Sequence, residues 1–222
     1  IKARGFKAVI LEAGYHLPCK YLSEGWFKMV SLIVNEAKKR AMKVWIIDEG
    51  KYPSGFAGGK FSEERPDLRM QALVSCGVIN VSSGEVLTNS QIDKNAISAV
   101  AICNTSGLHK EVQISDHKIS FSAGMDSWRI MIVKPDFRTG QTRCVNNPTG
   151  AKDTRYSQMD YMNPKAVRQF IDWTHEQYKK YIGGEFGKTV LGFRGDEPDY
   201  SYIPFTPAII DSFRVIKGYD PK

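Results

Sequence analysis

The chain has 222 residues, of which 42% are hydrophobic and 25% are charged, and its formal net charge is +7. This composition excludes a disordered chain and suits one large domain, or a core domain with a smaller insert. No stretch approaches the ~18 consecutive apolar residues of a membrane span, and the scattered Lys and Arg residues accompany no nucleic-acid-binding motif. We therefore expect a folded protein with no membrane span and no nucleic-acid partner.

The first predicted elements are a strand, a helix and a second strand. An apolar run over 6–11 predicts a strand that ends before Glu12, with His16 on the loop that follows. Ser23 is a typical N-cap for the next helix, whose apolar residues recur at helical spacing. A second apolar strand covers 43–47. Strands joined through a helix in this way are parallel, with a right-handed crossover.

The middle of the chain has a different pattern. From about residue 75 to 137 the helical period disappears, and short apolar segments alternate with turn residues. This spacing predicts a small antiparallel β insertion over 75–140. Irregular loops are the alternative, although structureless loops of this length are uncommon.

The strand and helix pattern then resumes. Asn163 caps a helix that has Pro164 in its first turn, and an apolar strand covers 189–193. A last helix begins after Pro207 and ends at Gly218. We count about four βα units, which is half of a closed barrel. The predicted fold class is therefore α/β, a partial (β/α)8 TIM-type barrel with the β insertion, divided into residues 1–74, 75–140 and 141–222.

Two Asp-Glu pairs lie at the ends of predicted strands. Asp48 and Glu49 follow one apolar strand, and Asp196 and Glu197 follow another, each pair before a loop that contains Pro. Acids are common where a chain meets water, but that explains one such pair better than two. In (β/α) barrels this strand end carries the active site.

Paired carboxylates predict hydrolysis of a glycosidic bond. That reaction needs a protonated carboxyl to donate to the leaving oxygen and a second carboxylate to activate water or attack directly. We assign the acid to Glu197 and the second carboxylate to Glu49, with Asp48 as the alternative. If Asp196 lies near Glu197, its charge raises the pKa of that acid.

Further residues complete the predicted site. The aromatic rings of Tyr52 and Tyr200 would pack against a sugar, and carboxylates and polar groups would bind its hydroxyls. The residues assigned to substrate binding are Asp48, Asp196, Tyr52, Tyr200, His16, Glu12 and Asp160. Asp160 has an alternative role beside the Asn163 helix cap. The other histidines support no triad, and the glycine-rich loop over 54–59 lacks a nucleotide-binding motif and is interpreted as a close backbone approach to a ligand.

Three segments carry a resemblance to a known family. Residues 45–59, WIIDEGKYPSGFAGG, resemble the YDE-x-x-WPSG-x-AGG segment of glycoside hydrolases related to family 106, the α-L-rhamnosidase-like enzymes of bacterial polysaccharide degradation. Residues 195–200, GDEPDY, with PFT at 204–206, resemble their F-x-DEP and PWT segments. Residues 160–170 resemble the connection D-x-x-NP-x-AV-x-x-F between them.

The resemblance implies a fold, an activity and a compartment. It implies a (β/α) barrel, a general acid at Glu197, a base from later strands and inversion of the anomeric carbon. The substrate would be an α-L-rhamnoside or another plant or bacterial polysaccharide glycoside, and the compartment periplasmic or extracellular. The resemblance allows a calcium ion near the sugar, whereas the residues themselves require no cofactor.

We also expect the chain to be a piece of a longer polypeptide, because it lacks an initiator Met and stops soon after a helix-like segment. The lack of a signal peptide at its first residues therefore says nothing about compartment. The remainder of the polypeptide would complete the barrel and supply the base, so that the chain alone is inactive. The alternative function is a noncatalytic carbohydrate-binding or structural module derived from such a barrel.

Overall fold

The computed structural model describes residues 1–55, 57–138, 143–144, 157–198 and 203–221. The chain divides into two compact units. The first comprises Ile1–Met70 and Arg138–Tyr200, and the second comprises Gln71–Phe137 and Ser201–Lys222. No helix among the described residues is long and apolar enough to cross a membrane.

A three-stranded parallel sheet forms the centre of the first unit. Its strands are β1 (Ala8–Leu11), β2 (Lys43–Ile47) and β12 (Val190–Arg194), in the order β1-β2-β12. The parallel pairing of β1 and β2 through a helix confirms the first predicted strand-helix-strand unit. All three carboxyl ends lie at one edge because both pairings of β2 are parallel. This edge is where residues 48–49 and 195–197 leave the sheet.

The α-helices described in this unit are α1 (Glu24–Lys39), α2 (Lys60–Glu64), α3 (Pro164–Trp173) and α4 (His175–Ile182). Helices α1 and α4 pack against the buried face of the sheet, whereas α2 and α3 contribute to a second apolar cluster. Ser23 caps α1 by accepting the Trp26 N–H at 3.4 Å, and Asn163 caps α3, as predicted for both. In the core, the Trp26 indole donates to the Tyr178 hydroxyl at 2.9 Å. This bond and the apolar stripe of α1 hold α1 and α4 together.

The predicted helix after Asn163 is broken at Thr174. That residue has φ −114° and ψ −83°, and its hydroxyl donates to the Phe170 carbonyl at 2.6 Å. Side chains that bond back to a carbonyl four residues earlier compete with the regular helix. The break places His175 at the start of α4.

The second unit is antiparallel. It contains a five-stranded sheet and a three-stranded sheet. The first contains, in spatial order, β13 (Pro204–Phe205), β4 (Gln71–Val81), β10 (Trp128–Phe137), β6 (Ser98–Cys103) and β7 (His109–Glu111). The second contains, also in spatial order, β5 (Val86–Gln91), β9 (Lys118–Ser122) and β8 (Ile114–Ser115). Trp128, Ile130 and Ile132 of β10 are buried in its core.

The remaining elements are short or terminal. A two-stranded antiparallel ladder joins β3 (Lys51–Tyr52) and β11 (Arg143–Cys144) in the first unit. The last helix, α5 (Ile209–Lys217), belongs to the second unit and ends at Gly218, which has φ +79°. The predicted final helix and its glycine stop are confirmed.

The predicted fold class, a partial (β/α)8 TIM-type barrel, is wrong. The described strands form one three-stranded parallel sheet, and the other sheets are antiparallel. Directly before Asp160, where a barrel would require a further parallel strand, Met159 forms only an isolated antiparallel bridge with Arg69. The error has a physical source, because a β-α-β repeat in sequence specifies parallel neighbours and does not specify how many strands share the sheet.

Candidate functional site

The two Asp-Glu pairs leave the parallel sheet side by side. Strands β2 and β12 are adjacent, and Ile47 is in register with Arg194. The Asp48 N–H donates to the Arg194 carbonyl at 3.1 Å, which extends the ladder by one step past β2. The two loops therefore separate at the same level of the sheet, and their acidic residues begin at a common edge.

Ser54 joins the two loops. Its hydroxyl donates to Asp48 Oδ1 at 2.6 Å and accepts the Asp196 N–H at 2.6 Å. Its own N–H donates to the Asp196 carbonyl at 2.9 Å, and its carbonyl accepts from the Tyr161 hydroxyl. The side chain is buried, so these bonds are made with little competition from water. One serine thus joins the first residue after β2 to the second residue after β12.

Asp48 is half-buried, and its surroundings shift the protonation equilibrium of its carboxyl group. Burial raises the pKa of Asp48, and the nearby charge of Asp196 adds to the rise. The Ser54 hydroxyl and the positive form of His175 act in the opposite direction. A carboxyl whose pKa lies above its ordinary range is closer to the value that suits proton transfer near neutral pH.

His175 lies among aromatic rings and interacts electrostatically with Asp48. Its ring packs against Phe193 of β12 with centroids 4.6 Å apart, and Nδ1 lies 2.9 Å from the Thr174 hydroxyl. Burial lowers the pKa of His175, and the charge of Asp48 opposes that change. The neutral imidazole is therefore favoured at neutral pH.

Glu49 points into its own loop. It is fully buried, and its carboxylate accepts the N–H groups of Gly50 at 2.7 Å, Ala57 at 2.6 Å and Gly58 at 2.7 Å. Burial raises the pKa of Glu49 to about 8, and these amides limit the rise because they favour the ionised carboxylate. The residue assigned as the second catalytic carboxylate is thus the anchor of the loop that follows it.

Left-handed backbone makes this anchoring possible. Four described residues of the loop have positive φ, namely Gly55 (+108°), Ala57 (+52°), Gly58 (+63°) and Gly59 (+98°). Such conformations turn successive N–H groups toward one point and form a concave anion site. The glycine-rich loop was interpreted as a close backbone approach to a ligand, and the group that its amides bind in the structure is Glu49.

Asp196 and Glu197 have different surroundings. The Asp196 side chain is 29% exposed, and Oδ1 lies 3.6 Å from the Arg194 guanidinium. Glu197 is exposed and has φ +39°, directly before Pro198. Residues other than glycine rarely adopt this backbone conformation, and strain of this kind clusters at functional sites.

The other predicted binding residues are dispersed. Glu12 and His16 are exposed on the loop after β1, and His16 has φ +60°. Asp160 is only 3% exposed and accepts the Met162 N–H at 3.0 Å, which matches its alternative role beside the helix cap. The Tyr52 side chain and all of Tyr200 lie outside the described residues.

Sequence reasoning missed three contributors to this site. Ser54 and Tyr161 act through contacts 142 and 107 positions away along the chain, and no local pattern announces such contacts. His175 was considered only as an isolated histidine. Its proximity to Asp48 depends on the helix break at Thr174, where the sequence pattern predicts a continuous helix.

Among the described residues, no three His, Cys, Asp or Glu side chains come together in a way that could hold a metal ion. The calcium ion that the resemblance allows stays a prediction, because main-chain carbonyls and water also bind calcium. No protein-family model matches the chain, and no curated protein is significantly similar to it.

Proposed function

We propose that the protein is a glycoside hydrolase that uses carboxylate acid and base groups. The observation that carries the proposal is the Ser54 bridge, which joins the loops of two Asp-Glu pairs at one edge of a parallel sheet. Substrate sites of open α/β sheets lie outside the carboxyl ends of the strands. A structural role alone does not account for an exposed, strained Glu197 beside this bridge.

The roles follow from accessibility. Glu197 is exposed and is the general acid of the proposal. Glu49 is enclosed by loop amides, so Asp48 replaces it as the second carboxylate. Asp48 also replaces the base that the resemblance assigns to later barrel strands, so the proposal no longer requires that the chain alone be inactive. Asp196 is joined to Ser54 through its backbone N–H and carbonyl, and its partly exposed carboxylate binds substrate hydroxyls.

The reaction is a single displacement with a balanced transfer of protons. Asp48 takes a proton from water as the water oxygen bonds to the anomeric carbon, while the bond from that carbon to the leaving oxygen breaks. Glu197 gives its proton to the leaving oxygen. Asp48 ends protonated and Glu197 ends ionised, and exchange with solvent restores both. The anomeric configuration is inverted.

The substrate class rests on the resemblance of segments 45–59 and 195–206. It comprises α-L-rhamnosides and other glycosides of plant or bacterial polysaccharides. The same resemblance supports a periplasmic or extracellular location.

A noncatalytic carbohydrate-binding module is the second candidate. The observation that favours it is the full engagement of Glu49, which removes one of the two carboxylates first assigned to catalysis. A binding module needs hydroxyl acceptors but no positioned acid. The two functions therefore differ in what happens when Glu197 loses its proton-donating ability.

Glu197→Gln distinguishes the two functions. For the hydrolase, turnover of activated aryl glycosides and of polysaccharide falls by about 10²-fold or more, because a general acid contributes roughly that factor. Sugar binding, measured by calorimetry, is retained. Glu111→Gln, a change at an exposed glutamate of β7 in the second unit, is the matched control. Undiminished turnover of Glu197→Gln would remove Glu197 from the mechanism.

A further inference from the structure

Ser54 has an unusual number of bonds for a small side chain at a loop. Its hydroxyl is a donor to Asp48 Oδ1 and an acceptor for the Asp196 N–H, both at 2.6 Å. A serine hydroxyl has one proton, so donation to Asp48 commits that proton and leaves the lone pairs for the Asp196 amide. The direction of both bonds is therefore fixed, since an amide can only donate.

This direction has an electrostatic consequence. A hydroxyl that donates to a carboxylate favours the ionised form, and the low exposure of Ser54 strengthens the effect. The amide that donates to Ser54 Oγ polarises the hydroxyl further toward Asp48. The Asp196 main chain, in the loop after β12, thereby influences the charge of Asp48 in the loop after β2.

We infer that Ser54 is a positioning residue that favours the ionised form of Asp48 and holds the Asp48 loop in register with the Asp196 loop. Its catalytic meaning rests on the proposed function, but its effect on Asp48 does not. Gly195 Cα lies beside the same group, because a Cβ built there would be 3.7 Å from both Asp48 Oδ2 and Ser54 Oγ. Backbone therefore flanks the bridge at the position where a side chain would shield it.

Other charged groups also act on Asp48 and must be considered in any titration. The Ser54 bond is a short-range contact, so its removal changes Asp48 without changing those neighbours chemically. In the described part of the chain, the titratable groups that interact with Asp48 are Glu49 beside it, Tyr21 before α1, His175 and Tyr178 on α4, and Asp196 after β12, which is itself paired with Arg194.

The test is a carbon-detected NMR titration of the Asp48 carboxyl in wild type and Ser54→Ala. Loss of a hydrogen bond to a charged group should raise the pKa of Asp48 by about 1. Exchange of the Asp196 amide with solvent should become about tenfold faster, because its acceptor is gone. Ser54→Thr, which keeps the hydroxyl, should restore both values. If the protein hydrolyses glycosides, the limb of the pH profile that reports Asp48 moves by the same amount.

Two further variants keep the test decisive. Ser23→Ala removes a serine hydroxyl that caps α1, so it lowers stability without touching Asp48. It should leave the Asp48 pKa and the Asp196 exchange rate unchanged. If Ser54→Ala does not fold, Ser54→Cys takes its place, because a thiol is a weaker donor of similar shape. An Asp48 pKa or an Asp196 exchange rate that does not change in the folded variant overturns the inference, and it does so whether or not the protein is a hydrolase.

Discussion

Gly55 holds the loop between the two acidic pairs in a conformation that only glycine adopts easily. Its φ is +108°, and a Cβ at this position would overlap the Tyr161 hydroxyl and lie 2.7 Å from the ring carbon that bears it. Tyr161 donates to the Ser54 carbonyl, so the space that Gly55 leaves open is used by a bond to the neighbouring residue. We predict that Gly55→Ala destabilises the first unit and loosens the Ser54 bridge.

The cost can be worked from these two features. A left-handed backbone costs an alanine about 1–2 kcal/mol. Displacement of Tyr161 loses a hydrogen bond worth about 0.5–1.5 kcal/mol and leaves a shielded carbonyl without that partner. The lower entropy of the unfolded alanine chain returns about 0.4–1 kcal/mol. The net loss is about 0.5–3 kcal/mol, a substantial fraction of the roughly 5–15 kcal/mol that stabilises an ordinary domain.

Gly187→Ala is the matched control. Gly187 also has a positive φ, +72°, in the first unit, but nothing lies within 4 Å of a Cβ built there. Gly187→Ala should lower the free energy of unfolding only by the backbone cost, about 0–1.5 kcal/mol after the entropy correction. Urea denaturation followed by tryptophan fluorescence measures both variants. Equal losses for Gly55→Ala and Gly187→Ala would refute the role of the Tyr161 contact.

Three further predictions concern charge and backbone at the site. Glu49→Gln should lower the free energy of unfolding by about 1–3 kcal/mol, because an amide cannot accept all three loop N–H groups. Its control is Glu64→Gln, which removes an exposed ion pair and should change the free energy of unfolding by less than about 1 kcal/mol. Because burial lowers the pKa of His175, its contribution to stability is present above about pH 6.5 and is lost as pH falls below that value. When the pH is lowered from about 7 to about 5, the urea midpoint should therefore fall less for His175→Gln than for wild type. Glu197→Gly should abolish turnover but raise the thermal midpoint, because relief of about 1–2 kcal/mol of left-handed backbone strain exceeds the entropic cost of glycine. A lower midpoint would show that the strain is absent.

Local features were predictable from the sequence. The Ser23 cap, the helix that follows it and the strands around 43–47 and 189–193 all appear in the structure, because capping and apolar periodicity act within a few residues. The final helix and its stop at Gly218 were predictable for the same reason. These elements place the two Asp-Glu pairs at one edge of the sheet.

Features that depend on distant contacts were not predictable. The number of strands in the parallel sheet is set by pairing across the whole chain, which is why a repeat of strand and helix was mistaken for a barrel. The burial of Glu49 is a partial exception. A carboxylate followed by several glycines that can adopt positive φ is a local signal for a loop that folds back on that carboxylate.

The most direct test of the proposed site is proton NMR of the sugar released from a panel of aryl glycosides that includes an α-L-rhamnoside. Wild-type protein should release sugar with the anomeric configuration inverted. Asp48→Asn should be slower by about 10²-fold or more, because it removes the group that accepts the proton from water. Release at the wild-type rate by Asp48→Asn, or no release from any glycoside by the wild-type protein, would contradict the account.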